Sequence, residues 1–232
     1  MKKVLEQPFE LHRDDLEPNS PNEEFETYSV PNWADYDYPL ACRVLKKSDS
    51  KVLYPAMKAN AEHLKGYIGW AKYAPSWDFK TVQQFVNDHV DDDWPRFHLI
   101  FSIGKKVVGF GSLAPMDNPR EIQVALWVAK EFEGKGIGKW IVTVLEWYAF
   151  NVFGYDHVYY QHDANNRRSG RLPSMLGYSF SHSFEEEKSG TKESGFWYSW
   201  KKRKPDDIPP GAIDTGRLDN WDGVTFPWKS LI

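Results

Sequence analysis

The chain contains a single cysteine, Cys42, in 232 residues. One thiol excludes an internal disulfide and a cysteine-built zinc site. No apolar run approaches the ~20 residues that a membrane helix needs. The charged, proline-bearing N-terminus also lacks the apolar centre of a secretory signal. Nor is there a concentrated basic face. Net charge is −4, and residues 1–38 hold three Lys/Arg against ten Asp/Glu. The other 194 residues hold 26 against 23, a balance that argues against general nucleic-acid binding. The one basic run, Lys201-Lys202-Arg203-Lys204, reads as the solvated end of a strand rather than a targeting or nucleic-acid patch. A soluble, cytoplasmic protein with no membrane partner is expected.

Apolar material is ample, at 41% hydrophobic and 16% aromatic, and the length fits one domain with extensions. Pro8, Pro18, Pro21 and Pro31 mark an acidic N-terminal arm over residues 1–38. The body runs over 39–203. In the tail, 204–232, Trp221, Phe226, Trp228 and Leu231 suggest docking on the body.

Within the body, strand-like apolar segments fall at 40–45, 97–103, 107–113 and 121–128, with a tight turn at Gly104-Lys105. Further strands are expected at 157–162, 179–185 and 195–201. Apolar residues three or four apart predict a helix over 52–74. A second helix, 79–91, opens on Asp78 as cap. A third ends near Phe153, and a short fourth spans 168–176.

The densest chemical signal is Glu133-Gly134-Lys135-Gly136-Ile137-Gly138-Lys139-Trp140, between a strand and a helix. Glycines there let several N–H groups converge at a helix N-terminus, a ready site for a phosphate or diphosphate. A dinucleotide fingerprint needs glycine where Lys139 stands. A Walker loop needs glycine at 133 and Ser or Thr at 140. Neither pattern is met, and a glycine-rich turn without a ligand stays open on the glycines alone.

The order of elements resembles the GNAT superfamily of acyl-CoA N-acyltransferases, and three local matches carry the resemblance. Glu133-x-x-Gly136-x-Gly138 is similar to the family's Q/R-x-x-G-x-G/A signature. Asp163-x-x-Asn166-x-x-Ser169, followed by Leu176-Gly177-Tyr178, resembles the subgroup that acetylates ribosomal-protein N-termini (RimJ/RimL type). Asn60-Ala61-Glu62-His63-Leu64-x5-Trp70 resembles that subgroup's first helical region.

The implied fold is mixed α+β. It has a mostly antiparallel twisted sheet of about six or seven strands, splayed at an acyl-CoA cleft, and about four flanking helices. The implied activity is acetyl transfer from acetyl-CoA to a primary amine, either a protein N-terminus or a small molecule. Acetyl-CoA is a co-substrate, no metal is expected, and homodimers are frequent in the family.

The resemblance also assigns residues. Gly134, Lys135, Gly136, Ile137, Gly138 and Lys139 would hold the diphosphate. Leu126, Trp127 and Val128 would pair with the pantetheine arm, and Asn166 would bond to it. Ser169 would return a proton to the thiolate, although a capping serine is as common a reading. The family's tyrosine position is Pro173 here. Its acidic strand position is Gln123, which accepts no proton at neutral pH.

Glu121, two residues before Gln123 on the same strand face, is one candidate base. The alternative is a solvated strand end beside Arg120. Asp163 is another candidate, acting through water; the alternative is a turn at the strand end. Arg167, Arg168 and Arg171 could meet a 3′-phosphate or form a solvated helix face. Trp70, Trp77 and Trp94 read as core or as an aromatic wall. His157 and His162 fall on opposite strand faces, which excludes a simple shared metal site; His162 reads as a packed or surface histidine, with an edge of the acceptor pocket as the alternative. Glu133, Gln123 and Pro173 motivate the competing reading, a CoA-binding interaction protein with little or no turnover.

Overall fold

The apolar strand segments pair into one sheet in the computed structural model, which describes residues 27–28, 40–91, 97–187 and 194–205. The expected arm (beyond 27–28), Trp94 and the expected docking of the tail lie outside the described residues. The N-terminal half comprises β1 (Thr27–Tyr28), β2 (Leu40–Val44), α1 (Ser50–Leu64), α2 (Phe79–Val90), β3 (Phe97–Ile103) and β4 (Lys106–Pro115). Then come β5 (Glu121–Val128), α3 (Ile137–Trp147), β6 (His157–Asp163), α4 (Arg171–Met175), β7 (Ser179–Glu187) and β8 (Ser194–Arg203). The strand order is β1-β2-β3-β4-β5-β6-β8-β7. Every neighbouring pair is antiparallel except β5 with β6. The expected mixed α+β sheet with four helices is what forms, the two-residue β1 adding an eighth strand.

Helices cover both faces. On β3, Phe101 meets Trp140 of α3 edge-on at 4.9 Å, and His98 meets His89 of α2 at 5.0 Å. These two β3 positions are three apart, so α2 and α3 lie on opposite sides of the sheet. On α3, Ile137, Trp140, Ile141 and Leu145 are fully buried. Burial of each such side chain is worth about 1.5–3 kcal/mol. One charged pair crosses the core edge: Lys202 Nζ of β8 donates to Glu146 Oε2 of α3 at 2.6 Å. Burial pushes the Glu146 carboxyl above its ordinary value, with Lys202 acting against that shift.

Several boundaries differ from expectation. The first helix stops at Leu64 rather than Ala74. Both Tyr67 and Ile68 donate to the Leu64 carbonyl, and Ile68 then turns extended. Two tight turns, Gly69–Lys72 and Ala74–Ser76, carry the chain onward. Ile68 had matched the helical period only because it packs on the same core after the break. The second helix opens as expected, with Asp78 Oδ1 accepting from the Thr81 amide at 2.8 Å. Beyond Trp147, the third helix widens into a single looser turn, Tyr148–Val152. The fourth is shorter than its pattern because tight turns occupy 165–170.

Candidate active site

The sheet opens between β5 and β6. Their parallel pairing runs from Glu121–His157 to Val124–Tyr160 and ends there. Beyond it, Leu126, Trp127 and Val128 still pair with β4, while Gln161, His162 and Asp163 still pair with β8. Two strand edges therefore diverge without a partner between them. The opening belongs to a continuous cleft of about 1350 Å³ that reaches both the glycine loop and the face under α1 and α2.

Gly134 and Gly136 both adopt left-handed backbone, φ 73° and 80°, a conformation that costs other residues about 1–2 kcal/mol. Gly136 is the N-cap of α3, which has no side-chain cap. The first amides of α3 therefore keep their hydrogens for something other than its own turns. Gly138 brings this terminus close to β5: a Cβ there would lie 3.3 Å from Leu172 and 3.7 Å from Val128. Gly134, Gly136, Gly138 and Lys139 line the cleft together with Leu126, Trp127, Val128, Asn166 and Ser169. Lys135 and Ile137 do not. The ammonium of Lys135 sits over the Phe132 ring at 5.6 Å, and Ile137 is core.

Glu133, the departure from the signature, is engaged by side chains. Its carboxylate forms a close ion pair with Arg168 and lies 2.7 Å from His63 Nε2. Burial, with Lys130 and Arg168 nearby, holds the His63 imidazole below its ordinary value. At neutral pH the balancing charge is therefore the Arg168 guanidinium. Asn60 fastens α1 to the same loop, its Oδ1 accepting from the Lys130 amide at 2.8 Å.

Opposite stands the 163–169 turn. Asp163 Oδ1 accepts from the Asn165 amide at 2.8 Å, and Asn166 Oδ1 accepts from the Ser169 amide at 3.1 Å. Ser169 Oγ is 2.7 Å from the Tyr160 hydroxyl. Burial pushes the Tyr160 phenol up to about 12, against the pull of that hydrogen bond. Tyr160 thus keeps its proton and can donate it to Ser169 Oγ, freeing the serine hydrogen for the cleft. His162 is buried and also lines the cleft, so it both packs and edges the opening: Nδ1 donates to the Asp163 carbonyl and Nε2 accepts from the Trp200 indole.

Glu121 lies apart, at the closed end of the β5–β6 pair. It accepts from Lys201 Nζ at 2.8 Å and from the Tyr159 hydroxyl at 3.2 Å, and it does not line the cleft. The basic run is not a free patch either, since Lys201 pairs with Glu121 and Lys202 with Glu146. All three arginines, Arg167, Arg168 and Arg171, line the cleft, and Arg168 is drawn to Glu133.

The face under α1 and α2 is aromatic. Trp70 meets Trp127 edge-on at 5.9 Å, and Phe85, His89, His98 and Phe110 continue the wall. Trp77 backs this wall through Phe85 rather than lining the cleft. His89, His98 and Tyr160 line the cleft although no motif singled them out, and His63, inside the quoted Asn60–Trp70 match, lines it too. Only the position of His89, one helical turn after Phe85, hinted that its ring would face the same side.

Residues 40–179 match the family described as Acetyltransferase (GNAT) domain. No curated protein matches the chain. Among solved structures, one similar fold is the ribosomal L7/L12 alpha-N-protein acetyltransferase RimL in complex with coenzyme A. It has 11% identity and a TM-score of 0.64, covering 71% of this chain and 94% of that one. Another is the microcin C7 self-immunity acetyltransferase MccE in complex with acetyl-CoA and AMP, at 14% identity and TM-score 0.62, covering 72% and 93%. A third is the ribosomal-protein-S5-alanine acetyltransferase from Vibrio fischeri, at 19% and 0.58, covering 73% and 96%.

Proposed function

The chain is an acyltransferase belonging to the GNAT acetyltransferase family, and from that premise we propose that it moves an acetyl group from acetyl-CoA to a primary amine. The amine is a protein N-terminus or a small molecule, and transfer is direct within a ternary complex. One observation carries the reading: the β5–β6 pairing stops at Val124–Tyr160 beside the uncapped N-terminus of α3. An extended, amide-bearing arm fits between the diverging edges as an added strand. Its diphosphate fits the amides of 134–139, with Lys139 as the nearby cation. We place the enzyme in the cytoplasm, and a homodimer suits the same reading.

The chemistry requires a neutral amine, an oxyanion donor and an acid for the leaving sulfur. As the C–N bond forms, a backbone N–H at Leu126 or Trp127 faces the developing oxyanion. As the C–S bond breaks, Ser169 passes its hydroxyl proton to the thiolate, held in line by Tyr160. It regains one from the N–H of the collapsing adduct. Asp163, occupied in its turn, positions Asn166 and Ser169. Glu121, outside the cleft, takes no part. The non-catalytic alternative loses one of its grounds, because Arg168 already neutralises Glu133.

Calorimetric titration of acetyl-CoA into the full chain tests this, with Gly136→Glu as control. Micromolar binding abolished in the variant is expected. Absence of binding to the unmodified chain would overturn the reading.

A further inference from the structure

The N-terminal arm and the outer side of the first helix carry opposite charge. Residues 1–26 hold eight Asp/Glu against three Lys/Arg, whereas residues 46–80 hold seven lysines against Asp49, Glu62 and Asp78. Each of those three carboxylates is already engaged. Asp49 is buried and held by Arg43, Asp78 caps α2 through the Thr81 amide, and Glu62 pairs with Lys65. Of the lysines, Lys47 meets Asp91 beyond α2, but Lys51 and Lys80 are exposed. The Lys58 ammonium donates to neutral groups, the carbonyls of Pro75 and Trp77, at 2.7 and 3.1 Å. Positive charge is therefore in excess on this side.

Spacing gathers part of that charge into a stripe. Lys51, Lys58 and Lys65 recur every seven residues along α1 and its C-cap, close to two helical turns apart. Between the first two lies Tyr54, with the Phe79 ring edge-on to it at 5.8 Å and the Lys58 ammonium over its face. Apolar rings accompany the lysines: Phe79, Tyr67 and Tyr73 are 37%, 46% and 48% exposed. Tyr67, two residues past Lys65, also lines the cleft. Excess ammonium groups beside exposed rings suit an acidic segment interspersed with apolar side chains. The arm has that pattern, with Phe9, Leu16 and Phe25 standing among its carboxylates.

Backbone pairing aims the arm at the same place. Thr27 lies opposite Ala41 and Tyr28 opposite Leu40, antiparallel. The chain before Thr27 is thus directed toward the Val44 end of β2, where Lys46, Lys47 and the first turn of α1 follow. The 15 residues of α1 are about 22 Å long. An arm of 26 residues reaches roughly 85 Å when extended, so it spans the stripe with slack. Tethering also gives it an effective concentration of about millimolar. Weak pairs then suffice to hold the arm, and a separate acidic partner must displace it.

We propose that residues 1–26 dock on the lysine stripe of α1 as an acidic strap running from β1 to the cleft entrance at Tyr67. Bound there, the strap fences the α1 side of the entrance and competes with any acidic partner for the same lysines.

The test uses the full chain and a zero-length carbodiimide cross-linker, which joins a carboxylate to a lysine only where the two touch. Isotope-labelled and unlabelled chains are mixed, and the linked peptides are identified by mass spectrometry. Links from residues 6–26 to Lys51, Lys58 or Lys65 within one chain are expected. They should fall about 5-fold or more at 1 M salt, where the screening length is only about 3 Å. A second readout needs no link: cleavage after Glu10 by a glutamate-specific protease. It should speed up about 5-fold in Lys51→Glu/Lys80→Glu, because cutting follows the population of the undocked arm. Both positions are exposed and neither lines the cleft. Links joining labelled to unlabelled chains would give the stripe to a second copy and overturn the intrachain strap. Links only to other lysines, no links from the arm, or unchanged cleavage in the variant would overturn the docking itself.

Discussion

Glu133, at the start of the glycine loop, and Arg168, in the turn after β6, form an ion pair that joins the two loops flanking the cleft. A carboxylate beside the proposed diphosphate site would repel the ligand if left alone. Here it is neutralised by a guanidinium that the same ligand would attract.

Replacing Glu133 with Gln should therefore tighten acetyl-CoA binding, since Arg168 is freed and a negative charge removed. The expected gain is about 2–5-fold, because exposed pairs are worth only ~0.2–1 kcal/mol. Arg168→Ala should weaken binding by more, as it leaves Glu133 facing the phosphates. Calorimetry at low and high salt checks both, and the difference should shrink as salt screens the charges.

Ser169→Ala should lower kcat by about 100-fold, in the range for a lost general acid, with the acetyl-CoA Kd held. Tyr160→Phe should cost less, since Ser169 keeps its own proton and loses only its orienting partner. Steady-state CoA release together with calorimetry separates the two effects. Equal loss of binding would assign the pair a structural part instead.

Gly136→Ala places a side chain at φ 80°, so it should destabilise the fold by about 1–2 kcal/mol. A shift of the urea midpoint at constant slope reads that loss.

Lys202→Met tests the buried pair. Burial raises the Glu146 carboxyl above its ordinary 4.5. The folded chain thus holds that proton more tightly than the unfolded one. The sign follows: ionised Glu146 destabilises the fold, and the penalty grows as pH rises from the unfolded value through the folded one. Without Lys202 the variant should be less stable than the parent by about 3 kcal/mol near pH 7.5, and the gap should narrow toward pH 5. Urea unfolding across that interval decides it.

The features legible in the sequence were local ones. Asp78 could be read as a cap because its partner, Thr81, is three residues on, and the glycine loop because its three glycines fall at alternate positions within five residues. The stretch of cleft wall at His98, Ser112 and Ala125 was not legible, since its members lie on three strands and meet only through register. Arg168 was named for a phosphate, but its pairing with Glu133 spans 35 residues. The first helix was read too long because Ile68 serves the same core from beyond the break.

Four residue pairs, from Glu121–His157 to Val124–Tyr160, are all that stitch β1–β5 to β6, β7 and β8 through the sheet. Mechanically the domain is two plates sharing a short seam. A co-substrate lying along the open length of that seam lengthens it, so loading acetyl-CoA should stiffen the relative motion of the plates and raise the melting temperature with ligand concentration. Each turnover would then undo part of that join as CoA departs.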